Sequence, residues 1–211
     1  WHWIFERCKI LGLDPKKICK SLHPKHSFTR KDGMLKLAND VEIFTQTSIW
    51  GYNVIDIIHA VRRAQAINSS IKAAGLKYIT KYINAESPSR VYIDHDNIGK
   101  MFLNKEEYWL NTQNGNYKKA NNPAYNDLDS KFPNVYKKIT GDKIVEMYLD
   151  DDLDETLKVD QEFNQGSFLL AAMIPTTYER VSTMGTATLW KMLMLAWSYK
   201  HGLAIPAKQG K

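Results

Sequence analysis

Five of the six residues from Asp150 to Glu155 are carboxylates, and this run constrains the fold more than any other part of the chain. Like charges at that density repel one another. A folded chain holds them only where water, basic groups or metal ions offset the charge. The run lies inside a helical pattern that begins near Asp142 and continues to Phe163. Tyr148 precedes Asp152 by one helical turn, so a phenol and a carboxylate share one face. That pair suits a divalent ion bound by oxygen, with the phenol orienting a water. The plainer alternative is a solvated acidic helix start, because Asp and Glu favour a first turn. The context of the run has to separate the two.

The chain is 44% hydrophobic and 25% charged over 211 residues, enough to bury the core of one large domain, or of one domain with an appendage. No stretch approaches the roughly 18 consecutive apolar residues of a membrane span. Trp1–Phe5 is followed at once by Glu6 and Arg7, which is not a secretory pattern. The missing initiator Met leads to the expectation of a segment cut from a longer polypeptide. Cys8 and Cys19 are too few for a disulfide framework, so an intracellular, reduced setting is expected. His23 and His26 sit in a basic, irregular stretch over 16–39, with no further His nearby to complete a zinc set. Residues 1–120 carry a net charge of +8 and residues 121–211 a net of −2. The basic part suits nucleic acid, where phosphate rewards clustered Lys and Arg.

Trp3, Ile4, Ile10 and Leu11 are spaced for a short amphipathic helix that Gly12 ends. Val41–Phe44 and Ile49–Ile55 read as strands, with Gly51 as a bulge and Asp56 capping a helix from about Ile57 to Ala66. That helix would bury Ile57, Ile58 and Val61 and leave Arg62 and Arg63 outside. A further helix is expected from about Ser70 to Ile83. Val91–Ile93, Gly99–Leu103 and Tyr108–Leu110 read as short strands, with turns at Asp96-Asn97 and Asn114-Gly115-Asn116. Asn111–Asn126 reads as a surface excursion. A last helix runs from about Thr186 to His201, with Met192, Met194 and Trp197 expected in the core and Gly202 as its stop. The order describes an α/β domain with a helical tail.

Four landmarks in this order resemble the 3′–5′ exonuclease domain of family B DNA polymerases, especially those of bacteriophages and large DNA viruses. Trp1-His2-Trp3-Ile4-Phe5-Glu6-Arg7 with Leu11-Gly12 is similar to the helix after that family's second exonuclease motif. Gly51-Tyr52-Asn53-Val54-Ile55-Asp56 is similar to a strand ending in Asp before a helix with paired basic residues. Tyr148-x-x-x-Asp152, followed by Leu157, Val159 and Asp160, resembles the third exonuclease motif. Thr183-Met184-Gly185, a helix and Gly202-Leu203-Ala204-Ile205-Pro206 resemble the link toward the polymerase palm domain.

The resemblance implies a truncated ribonuclease H-like exonuclease domain over residues 1–165, with a β-rich insertion over about 86–140. Residues 166–211 would be a helical segment leading toward the palm. It implies a replicative DNA-directed DNA polymerase whose proofreading site uses two Mg²⁺ or Mn²⁺ ions to hydrolyse the 3′-terminal phosphodiester. Asp152 would be a metal ligand and Tyr148 would hydrogen-bond the attacking water. The other carboxylates would precede residue 1, so the segment alone is expected to be inactive. Asp150, Asp151 and Asp154 would face solvent. The implied partners are a single-stranded 3′ end and primer-template DNA, with a sliding clamp reached through other parts of the parent and no membrane. The implied location is intracellular, the host-cell cytoplasm for a virus or phage.

Within the insertion, Tyr92, Tyr108, Trp109 and Tyr117 offer stacking faces, and Lys100, Lys105, Lys118 and Lys119 offer phosphate contacts. The same aromatics are read in preference as packing the insertion onto the domain. The alternative to the enzyme reading is a non-catalytic module that binds single-stranded nucleic acid or acts as a scaffold.

Overall fold

The computed structural model describes residues 2–17, 28–37 and 41–205. Trp1, Cys19, the pair His23 and His26, and Pro206 lie outside the described residues. The chain is mixed α/β, with more helix than strand and small antiparallel sheets. It divides into two compact units: Trp1–Ala74 with Glu162–Lys211, and Gly75–Gln161. Residues 86–140 fall within the second unit.

In the first unit, α1 (His2–Ile10) buries Phe5 and Cys8, and Gly12 follows at φ 64°. β1 (Phe28–Lys36) pairs antiparallel with β2 (Val41–Ile49), in a register that sets Gly33 opposite Phe44. The Phe44 ring covers Gly33 so closely that a Cβ there would meet Phe44 Cζ at 2.6 Å. Two expectations fail here. The stretch over 16–39 contains a regular strand, and β2 is one strand ending at Ile49 instead of two with the second reaching Ile55. Gly51 adopts φ 86° in the turn that ends it, a conformation that favours glycine.

α2 (Ile58–Ile67) has Ile57 and not the expected Asp56 as its N-cap, without a side-chain cap bond. Asp56 Oδ1 instead accepts from the Ile58 N–H at 3.1 Å in a local turn just before the helix. The buried face differs from the expected one, consisting of His59, Ala60 and Val61. Arg62 and Arg63 are half-buried, not outside. Arg62 pairs with Glu42 at 3.1 Å, and Arg63 donates to the carbonyls of Val181 and Met184. Long cationic side chains can lie along apolar surface while their heads reach exposed helix-end carbonyls. Those carbonyls belong to the end of α8 (Tyr178–Thr183), which follows α7 (Gln165–Met173). The last helix, α9 (Thr186–Lys200), stops before Gly202 at φ 66°. Its Met194 and Trp197 are more than half exposed and Met192 is half-buried, against the expected core placement. The helix is apolar around most of its circumference, more than one packed side can cover.

In the second unit, α3 (Leu76–Tyr82) is much shorter than the helix expected from Ser70. Asn68 Oδ1 accepts from the Ser70 N–H and hydroxyl, a local turn that competes with helix. Gly75, at φ −66° and ψ 142°, then sets the start at Leu76. Gly99–Leu103 is not a strand but part of α4 (His95–Asn104), and Asp96-Asn97 is its first turn instead of a loop. Ile98 and Met101, three residues apart, give that helix its core face. Val91–Ile93 alternates in burial as a strand would, yet it is not part of either sheet.

β3 (Glu107–Asn111) is the centre of a three-stranded antiparallel sheet. It is flanked by β4 (Tyr117–Lys119) and by β5 (Tyr136–Thr140), which the short helix α5 (Leu128–Lys131) precedes. α6 (Gly141–Phe163) then lays Ile144 and Tyr148 into a core shared with Val91, Ile93, Met101, Tyr108 and Leu110. Fully burying an aliphatic side chain such as Ile144 contributes about 2 kcal/mol, so this face anchors the helix. The acidic run is thus at mid-helix, not at a solvated helix start.

Candidate functional site

The buried stripe of α6 continues from Ile144 and Tyr148 through Glu155 to Val159, so the acidic run presents one side to the protein. Facing it is Arg90, whose side chain is 2% exposed. Two features hold Arg90 in place. Its N–H donates to the Ser87 carbonyl at 3.0 Å in a turn. Its own carbonyl lies against Gly115, where a Cβ would come within 2.1 Å of it. Only glycine, at φ 67°, lets the β3–β4 turn approach so closely.

The guanidinium meets three carboxylates. Nη2 donates to Asp152 Oδ1 at 2.5 Å, Nε lies 3.1 Å from Glu155 Oε1, and Nη1 lies 3.9 Å from Asp151 Oδ2. The Glu155 contact is an ion pair without hydrogen-bond alignment: Arg90 Nε and both Glu155 oxygens have no hydrogen-bond partner. Asp151 Oδ2 also accepts from the Val91 N–H at 3.1 Å. Burial raises the pKa of Glu155, with Arg90 opposing that shift and Asp152, Glu86 and Asp151 adding to it. The repulsion within the acidic run is therefore offset by a basic group.

Two tyrosines flank this cation. The Arg90 Cζ lies 5.3 Å from the Tyr92 ring centre and 5.4 Å from that of Tyr148. Lys77 Nζ lies 5.3 and 5.1 Å from the same two rings, and Lys81 Nζ lies 5.1 Å from Tyr92. Cations over tyrosine faces are attracted by the ring quadrupole. The Tyr92 hydroxyl donates to Glu86, which also lies 3.6 Å from Lys81.

The residues singled out from sequence fall into two groups. Tyr148, Asp152 and Tyr92 come together around Arg90. Tyr108, Trp109, Lys100 and Lys118 are elsewhere in the unit. Tyr108 and Trp109 are buried core residues, and Tyr117 meets Tyr108 edge-on at 5.6 Å. Lys100 lines a separate cleft of about 290 Å³ with Lys119 and Glu106, and Lys118 lies over Tyr125 at 4.4 Å. Asp150 and Asp154 are exposed as expected; Asp151 is not, because it anchors the Val91 amide. Sequence reasoning missed Arg90 and Glu155. The position of Glu155 one turn beyond Asp151 on the Tyr148 face was the available signal, and nothing local pointed to Arg90.

Asp152 would be a metal ligand under the family resemblance. Among the described residues no group of three or more His, Cys, Asp or Glu is arranged to hold a metal ion. One oxygen of Asp152 is engaged by a guanidinium. These residues do not make up a two-ion site by themselves, since divalent Mg²⁺ requires near-octahedral oxygen coordination. Among the described residues no helix is long and apolar enough to cross a membrane. Comparison with known protein families, curated proteins and solved structures finds no match to this chain.

Proposed function

We propose that this chain is part of a family B DNA-directed DNA polymerase of the bacteriophage or large DNA virus type. Its α6 would contribute one corner of a 3′–5′ proofreading site. The observation that carries the reading is the placement of Tyr148 and Asp152 on one face of α6, a turn apart, as the Tyr-x-x-x-Asp motif requires. The order of the four sequence landmarks supports it. A ribonuclease H-like fold for the complete domain belongs to the same proposal. So does Asp152 as this chain's contribution to a Mg²⁺ or Mn²⁺ pair, and so does DNA with a single-stranded 3′ end as substrate.

The test is the reading frame around the chain. It should encode Phe- or Tyr-Asp immediately before Trp1, Asp-x-Glu further upstream, and Asp-x-x-Ser-Leu-Tyr-Pro downstream. Flanks lacking these motifs would sink the proposal.

A second reading, a non-catalytic module for single-stranded nucleic acid or a scaffold, is favoured by one observation: Arg90 engages the carboxylate that the first reading assigns to metal. Under that reading the cluster is a structural ion network. Strand binding would then be salt-dependent and indifferent to Mg²⁺.

A further inference from the structure

Lys77 and Lys81, one turn apart on α3, direct their ammonium groups at the same Tyr92 ring, and Lys77 also lies over Tyr148. With Arg90, three cations surround two tyrosines. Like charges this close repel, and a partly exposed ring face returns only about 0.5–1 kcal/mol per cation. The neighbouring carboxylates are unevenly shared. Asp151, Asp152 and Glu155 face Arg90, and Glu86 serves Lys81 and the Tyr92 hydroxyl. Lys77 is half-buried, and among the described residues no carboxylate lies within ion-pair distance of it. A partly desolvated ammonium beside a second one is a place where an anion is stabilised.

We propose that Lys77 and Lys81 form a binding site for the phosphodiester backbone of a single nucleic-acid strand, alongside the Tyr148 face of α6. The inference rests on the nucleic-acid reading of that face and not on nuclease chemistry. Each ammonium carries three donors and acts as a point charge, a chemistry that suits phosphate oxygen. Arg90 is too buried to touch the strand, and Asp151, Asp152 and Glu155 already engage its charge, so the phosphate contacts fall to the two lysines. Tyr92 contributes by holding the lysines and not by stacking a base, because cations already lie over its ring.

The test measures binding of a labelled oligo-dT strand across a range of NaCl concentrations, in Mg²⁺-free buffer so that digestion plays no part. Lys77→Gln and Lys81→Gln should each weaken binding and lower the log–log salt slope by about 0.7, the value for one single-strand phosphate contact. Lys77→Arg should keep both. Lys137→Gln, an equal loss of charge at an exposed position of β5, should change neither. The proposal is overturned if Lys77→Gln binds with unchanged affinity and slope, or if it loses no more than Lys137→Gln. Inorganic phosphate binding without strand binding would also overturn it. Should Lys77→Gln fail to fold, Lys81→Gln decides, since that side chain is largely exposed. Loss of strand binding on these substitutions, together with no 3′-end digestion in Mg²⁺ or Mn²⁺ by the wild-type protein from the full reading frame, would keep the phosphate site and refute the proofreading reading.

Discussion

Arg90 Nη2 lies 2.5 Å from Asp152 Oδ1, and the same guanidinium faces Asp151 and Glu155. One buried cation thus holds the mid-helix acidic run of α6 against the Val91–Ile93 segment that follows it. Removing it would leave Glu155 buried without the cation that faces it. Arg90→Met should therefore cost about 3–5 kcal/mol in chemical denaturation, the range for breaking a buried ion pair from one side. Adding Glu155→Gln to that variant should recover part of the loss. A cost below about 1 kcal/mol for Arg90→Met would show that the cluster does not hold the unit together.

Gly115 should tolerate no side chain. A Cβ would sit 2.1 Å from the Arg90 carbonyl oxygen, and φ 67° is unfavourable for L residues. Gly115→Ala is expected to lower the stability of the second unit by at least about 2 kcal/mol, since strain and displacement of the Arg90 turn add together. Hydrogen exchange at Val91, whose amide bonds Asp151, should speed up in that variant.

His59 sets a pH dependence in the first unit. It is buried on α2 with its ring centre 4.2 Å from that of Phe44, and burial lowers its pKa below the ordinary 6.5. Asp56 and Glu42 oppose the shift, while Arg63 and Arg62 add to it. The folded state resists a proton that the unfolded chain accepts. Stability is therefore fully present above about pH 6.5 and is lost as pH falls through the depressed folded value. Unfolding midpoints measured from about pH 8 down to pH 5 should show this decline, and His59→Leu should flatten it. An identical decline in both proteins would assign it to other groups.

Trp109 was a stacking candidate by sequence and is a core residue by structure, at 7% exposure. Trp109→Ala should cost about 3–5 kcal/mol of stability. Oligo-dT affinity measured on the folded fraction should stay unchanged.

How much of this was readable from sequence differs by element. The long helix α6 was legible because its apolar and polar residues recur at helical spacing over many turns, and its Tyr148–Asp152 pair follows from that spacing alone. α4 was misread as a strand because Met101, Phe102 and Leu103 form an apolar run too short to separate the two periods. The partner of Asp152 was not legible at all: Arg90 is 62 residues away in the chain, and only the tertiary fold brings it across. The cores of α2 and α9 were misjudged for a related reason. Periodicity gives a face, but what covers that face is set by elements distant in sequence.

The most direct test of the proposed function is 3′-end digestion of a labelled single strand by the protein from the full reading frame, wild type against Asp152→Asn. The substitution keeps an oxygen for Arg90 to bond, so the fold should survive, as circular dichroism would verify. The account predicts Mg²⁺- or Mn²⁺-dependent digestion by wild type and a loss of about a hundredfold or more in Asp152→Asn. Unchanged digestion by a folded Asp152→Asn, or none by wild type, would contradict it.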